Sequence, residues 1–171
     1  MSAGSLQTFL DRHQVTYVTM RHSPAFTAQE IAVSAHIPGT QPVKSVIVKL
    51  DGQLTMAVLP ASDTVHVEHL QAVAGARTVA LANEQNVQDR FPECKVGVMA
   101  PVGHLYGLDV WAAARWAEDE EIASNTGDHT ALMRLAYRDV DRLVQPTVGP
   151  FSSIEALYPV PRGGHGPRSK R

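Results

Sequence analysis

Apolar residues recur along this chain at two spacings, and the alternation between them divides it into short helices and strands. Leu6, Phe9 and Leu10 share a helical stripe over Ser5–His13, and Val15–Met20 (VTYVTM) reads as a short strand. Thr27 with Glu30 forms a capping box that opens the helix TAQEIAVSAH, and the Pro38-Gly39 pair should stop it. The clearest signal follows. VKSVIVKL and QLTMAVL flank Asp51-Gly52, the pattern of a two-residue hairpin. A helix starting at Ser62 or Asp63 would carry Val67, Leu70 and Val73 and close at Gly75, and Thr78–Leu81 reads as a short buried strand. Asn83 opens a helix that Pro92 ends, Val96–Val102 leads into a Gly-rich loop, and Leu108–Trp111 is an apolar strand or turn. After an exposed acidic turn (AEDEE), Ile122–Ser124 and Leu132–Leu135 read as paired strands and Tyr137–Val144 as a closing helix. Hairpins mixed with short helical connections predict an α+β fold, with a mixed, mostly antiparallel, barrel-like sheet and surrounding helices.

Composition narrows the class without deciding the function. A chain of 171 residues, 44% apolar and 19% charged, suits one globular domain. That domain is expected over residues 1–150, with 151–171 a C-terminal extension. From Pro159 onward (PVPRGGHGPRSKR) the extension cannot build a core and reads as a disordered basic tail. A net charge of −2 argues against a protein that grips long stretches of nucleic-acid backbone, DNA above all, but leaves room for one that holds a single RNA end. The lone Cys94 suits a reducing cytosol. Neither a signal peptide nor a membrane span is apparent, so a soluble cytoplasmic protein is expected.

The usual side-chain engines of catalysis are missing. His66 and His69 could share a helical face beside Glu68, but no third ligand stands at a telling distance, so no metal is expected. Cys94 reads better as a small buried hydrophobe than as a nucleophile. The chain has no G-x-S-x-G elbow, no G-x-G-x-x-G and no P-loop, and no cofactor is expected.

Three segments look shaped for a site. His22, Phe26 and Thr27 lie between a strand and a capped helix, whose N-terminus would favour a negative or polar ligand. Within VKSVIV, period-two alternation sends Lys44, Val46 and Val48 to one face and Val43, Ser45 and Ile47 to the other. A lysine in so apolar a strand either snorkels from a sheet edge or lines a polar cavity, because burying its ammonium alone is costly. In VGVMAPVGH, Gly97 permits close backbone approach and Pro101 favours an irregular loop that can present bare amide and carbonyl groups.

Taken in order, HSPAFTAQEIA, VKSVIVKLDG, the Gly97-x-x-x-Pro101 loop and SNTGDHTALMRL with the helix RDVDRLV resemble the YbaK/prolyl-tRNA-synthetase-associated editing family. The resemblance spans roughly Ser5–Val144. It implies a pocket for an aminoacyl-tRNA 3′ end and an aminoacyl-tRNA deacylase that removes a wrong amino acid, working without a triad, metal or cofactor. Lys44 would neutralise phosphate or orient the terminal nucleotide. Gly97 would offer backbone groups to the substrate amino group or the attacking water, with Pro101 shaping the loop. His22, Phe26, Thr27, Ser45 and His129 would line the pocket. Some relatives carry asparagine where this chain has Ser45, so amino-acid specificity does not transfer from them. The resemblance leans toward Cys or Ala esters on tRNA for proline, with prolyl-tRNA synthetase as a candidate partner. A non-catalytic module binding aminoacyl-tRNA or a synthetase is the alternative.

Overall fold

The computed structural model describes residues 3–21, 40–94, 99–117, 121–126 and 131–153. Helix α1 (Ala3–Arg12) buries Leu6 and Leu10, as its stripe requires. Strand β1 (Tyr17–Arg21) follows it and pairs antiparallel with β7 (Ala131–Ala136). The helix expected from Thr27 lies outside the described residues.

The hairpin stands where the sequence puts it. Strands β2 (Thr40–Leu50) and β3 (Gln53–Pro60) pair from Leu50↔Gln53 to Val43↔Pro60. Asp51 (φ 50) and Gly52 (φ 81) both take positive φ, the backbone whose twist matches the flanking strands. The Asp51 carboxylate has a second task. Its Oδ1 accepts the N–H groups of Arg77 (2.8 Å) and Thr78 (2.9 Å), fixing the approach to β4 (Val79–Leu81).

Two expectations from the periodicity fail nearby. Helix α2 (Val67–Ala74) starts after His66, not at Ser62 or Asp63; the His66 ring nitrogen accepts the His69 N–H while Asp63 is engaged elsewhere. Among the described residues strand β4 pairs only with the end of β2, and Leu81 is 55% exposed rather than buried. The remaining boundaries were better marked. Gly75 (φ 63) closes α2, and Asn83 caps α3 (Glu84–Arg90) by accepting the Asn86 N–H at 2.8 Å.

Beyond these, β5 (Val110–Ala113) runs into the short helix α4 (Ala114–Ala117). The chain continues through β6 (Glu121–Asn125), β7, helix α5 (Tyr137–Val144) and β8 (Thr147–Gly149). The sheet order is β1-β7-β6-β2-β3-β5-β8, with β4 also on β2. Parallel pairs (β2–β6, β3–β5, β5–β8) are set among antiparallel ones, which is the mixed, mostly antiparallel sheet expected.

Both faces of the central hairpin are covered. Val43, Ile47, Met56 and Val58 join a larger core with Leu6, Leu10, Ile122 and Met133. Val48, Ala57 and Leu59 join a smaller one with Leu70, Ala113 and Phe151. That is why β3 reads as one apolar run rather than as alternation. Phe151 is fully buried and Ser152 bridges Val65, so the packed body continues past residue 150.

The segment Met99–Gly103 is buried without being a strand. Its Ala100 N–H donates to the Tyr106 hydroxyl (3.0 Å), which the 3-10 turn Gly103–Tyr106 delivers and Phe91 packs against edge-on. Gly103 tolerates no side chain, because a Cβ there would overlap Val110 and lie 2.5 Å from the Leu108 carbonyl oxygen. Burial pushes the Tyr106 phenol from its ordinary value of 10.0 up to about 12, against the opposing pull of the Ala100 N–H.

Two outcomes follow from these contacts. The raised phenol favours folding fully below pH 10.0, and that contribution fades as the pH climbs toward about 12. Tyr106→Phe should therefore flatten the alkaline limb of a melting-temperature profile. At neutral pH it should cost roughly 1–3 kcal/mol for the orphaned Ala100 amide. Asp51→Ala should lose about 2 kcal/mol in chemical denaturation, from two amides released and a left-handed residue without its local acceptor. Asp51→Asn, which keeps an acceptor and tolerates positive φ, should lose far less.

Candidate functional site

Strand β2 changes neighbours along its length. On one side it pairs with β3 over residues 43–50. On the other, β6 holds residues 40–42 in parallel and β4 holds 48–50 antiparallel. Among the described residues no strand pairs with 43–47 on that second side, although the Ile47 carbonyl accepts the Ala82 N–H at 3.0 Å. The parallel pairing ends at Pro42↔Ala123, so the next residues of each segment, 43–47 on β2 and Ser124, Asn125 and Thr126 beyond the last β6 pair, flank the opening. Diverging strands leave backbone groups and space between them, the place where open sheets tend to take ligands.

Polar groups collect at this opening. Ser124 and Thr126 are each 2% exposed and Asn125 8%. Thr126 Oγ1 donates to the Ala131 carbonyl at 3.4 Å. The hydroxyls of Ser45 and Ser124 are buried on the larger-core face with no hydrogen-bond partner among the described residues. Two unsatisfied hydroxyls in an apolar face cost about 1–3 kcal/mol each, so the fold carries them at a loss unless something polar enters.

Lys44 occupies the other face, opposite the fully buried Leu59. β2 is interior in the strand order, but at Lys44 it is paired on the β3 side alone, so this lysine stands at a local opening within the sheet. Burial lowers the Lys44 pKa below the lysine norm, and the negative charge of Asp63 partly opposes that shift. The β3–α2 turn brings Asp63 here. The Ala61 N–H donates to the Pro42 carbonyl (2.9 Å) and the Asp63 N–H to the Pro60 carbonyl (3.0 Å), folding the turn back over the start of β2. The Asp63 carboxylate is wholly buried. Arg115 Nη1 donates to both of its oxygens at 3.2 and 3.0 Å, and Ser62 Oγ donates to Oδ1 at 3.2 Å. Arg115 arrives from α4, directly after the strand that runs parallel to β3.

Of the residues singled out from sequence, Lys44 and Ser45 meet at the opening from opposite faces of one strand. Pro101 is buried beside Met99, Ala100 and Val102 of the larger core, on the side Ser45 faces rather than the side of Lys44. Gly97, His22, Phe26, Thr27 and His129 lie outside the described residues. Asp63 and Arg115 escaped the sequence reading because each looked like ordinary helix-start or surface chemistry. Ser124, Asn125 and Thr126 had a signal: three small polar residues in a row inside a segment patterned as a strand. The rings of His66 and His69 meet edge to face at 4.5 Å, one of them spent on capping α2. A separate depression of about 340 Å³ between His104, Asp109 and Gln145 contains none of these residues.

Comparison with known proteins identifies the family and the fold. A family model for the aminoacyl-tRNA editing domain matches residues 22–143, a span that contains Lys44, Asp63, Arg115 and the polar run on β6. Comparison with curated proteins gives no match. Among solved structures, the fold is similar to the hypothetical protein APE2540 (TM-score 0.76, 19% identity, covering 86% of this chain and 99% of that one). It is also similar to a proposed trans-editing enzyme for prolyl tRNA synthetase (TM-score 0.74, 18% identity, covering 90% of this chain and 99% of that one). At these identities the likeness establishes the fold. The family match runs across most of the chain and bears out the resemblance seen in its motifs: the protein belongs to the aminoacyl-tRNA editing domain family.

Proposed function

We propose that the chain is a free-standing deacylase that hydrolyses the ester between a mistaken amino acid and the terminal adenosine of tRNA. The observation that carries this reading is the half-buried Lys44 beside the polar opening between β2 and β6, inside the span that matches the editing family. In the reaction, water adds to the ester carbonyl, the carbon–oxygen bond to the ribose breaks, and the departing ribose oxygen takes up a proton. Free amino acid and uncharged tRNA leave.

An activated ester of this kind asks for positioning and fixed dipoles more than for a strong base. The Lys44 ammonium supplies charge for a phosphate or the terminal nucleotide. The role assigned to Gly97 in this reading is to offer backbone groups to the substrate amino group or the attacking water, with Pro101 shaping that loop and the tRNA 2′-hydroxyl assisting. Ser45, His22, Phe26, Thr27 and His129 complete the wall. Cys or Ala on tRNA for proline is the leading substrate pair, and the structural likeness to a proposed trans-editing enzyme for prolyl tRNA synthetase supports that synthetase as partner. The expected setting is the cytoplasm, where charged tRNA is used. Among the described residues no helix is long and apolar enough to cross a membrane.

The deciding assay follows release of amino acid from tRNAs charged with Ala, Cys, Ser and Pro. Lys44→Ala should lower the rate at least about tenfold, the scale of one lost transition-state contact. Gly97→Ala should be similarly severe if the loop backbone touches substrate. Since burial disfavours the charged form of Lys44, Lys44→Met should leave the melting temperature unchanged or raised while activity falls. Wild-type turnover in Lys44→Ala would place the site elsewhere. Binding of charged tRNA with no turnover by the wild type would make this a non-catalytic module.

A further inference from the structure

The charged corner around Lys44 is built unequally. Asp63 is sealed from water, whereas the Arg115 side chain is 40% exposed. Arg115 does not grip the carboxylate with the two-nitrogen fork that gives the tightest arginine–carboxylate pairs; a single Nη1 straddles both oxygens. The buried carboxylate, which accepts from Arg115 Nη1 and Ser62 Oγ, keeps acceptor capacity beyond those bonds. The turn that carries Asp63 is hydrogen-bonded to Pro42, two residues before Lys44, and follows directly on the β3 residues that pair there, yet no direct ion pair joins Asp63 to Lys44.

This separation matters. A lysine locked in a salt bridge spends its donors on its partner. A carboxylate set back from the ammonium sustains its positive charge through space and leaves those donors for an incoming ligand. The neighbours fit this division. Asn125, two residues past the last β2–β6 pair, is neutral. Glu121 and Arg134, on the same face toward the start of the β2–β6 ladder, pair with each other. The charged groups at the Lys44 end, among the described residues, are thus Asp63 from the β3–α2 turn and Arg115 from α4.

We propose that Asp63, clamped by Arg115, is the positioning residue that keeps Lys44 charged and unspent for an anionic ligand at the β2–β6 opening, a terminal-nucleotide phosphate in the proposed reaction. This deepens the reading of Lys44 as the cation of the editing site and rests on it. The clamp explains why Asp63 is tied to α4: a buried carboxylate free to swing would close on the ammonium and quench it.

The test reads the lysine directly, then the reaction. With lysine amines carrying ¹³C-methyl labels and Lys44 assigned through Lys44→Arg, its titration is followed by NMR on the full chain. Asp63→Asn keeps an oxygen for Arg115 and removes the charge, so the Lys44 midpoint should move to lower pH. Arg115→Gln leaves Asp63 charged but less neutralised, so the midpoint should move to higher pH. Opposite displacements are not what a purely structural bridge would give, and Asp63→Glu should restore the wild-type midpoint. In deacylation, the deficit of Asp63→Asn should widen as pH rises above neutrality, because its Lys44 loses the proton sooner. An unmoved midpoint in Asp63→Asn, or a downward one in Arg115→Gln, overturns the proposal. The titration needs no substrate. A wild type that releases no amino acid would therefore sink the functional reading while these displacements still judge the role of Asp63.

Discussion

Everything at the candidate site depends on β2 having to satisfy two partners on one side. Its first residues run parallel to β6 and its last run antiparallel to β4, and one straight ladder cannot serve both directions. The interval between the two pairings falls on 43–47, where Lys44 and Ser45 sit. Continuous pairing there would have left neither space nor reason for polar side chains. The opening is a consequence of topology before it is a feature of any residue. The side chains then exploit it from both faces, Lys44 on the smaller-core side and Ser45 with Ser124 on the larger.

Covering both faces of the β2–β3 hairpin makes that opening expensive. Leu59, Val48 and Ala57 are fully buried on one side and Met56 and Val58 on the other, so a charge on this hairpin meets apolar neighbours in either direction. Burial lowers the Lys44 pKa, and Asp63 recovers part of the loss. The recovery requires a second buried charge, and this one in turn requires Arg115. Such a chain of compensations rarely adds net stability over an apolar packing of the same volume. It is intelligible where the charge has work to do, which is the ordinary reason for proteins to keep a local departure from the pattern of their fold.

Local signals with one physical cause were legible in the sequence. Asp51-Gly52 required positive φ and gave a hairpin in register. Asn83 capped a helix, Gly75 closed one, and the apolar spacing of Tyr137–Val144 marked α5 to the residue. What escaped required knowledge of distant partners. Asp63 looks like a helix cap until Arg115, fifty-two positions away, is seen to hold it. Thr78–Leu81 looks buried because it is apolar, but in the pairing of β4 with the tail of β2 only Val79 packs against the core, while Ala80 and Leu81 are exposed. Lys44 was conspicuous as a break in an apolar strand. Whether it sat at an edge or in the interior was a question of strand order, which a single sequence does not encode locally.

The family's chemistry and this architecture meet on one requirement. An enzyme that relies on positioning must hold a flexible 3′ end against rigid elements, because small displacements forfeit much of the benefit. In the proposed reaction the cation stands on a strand paired with β3 over 43–50, and the carboxylate proposed to support it lies on a turn pinned by two backbone hydrogen bonds. The buried segment that carries Pro101 is stapled by the Tyr106 hydroxyl, itself held by Phe91. Ser45 and Ser124 present hydroxyls that the core leaves unsatisfied. A rigid scaffold with unmet polar capacity at one opening selects a ligand that brings its own donors and acceptors. An aminoacyl ester on a ribose does that, with an amino group, an ester carbonyl and vicinal hydroxyl oxygens within a few bonds. Discrimination among amino acids is then a matter of what the remaining wall excludes, since a single methylene in a pocket is worth only about 1–3 kcal/mol.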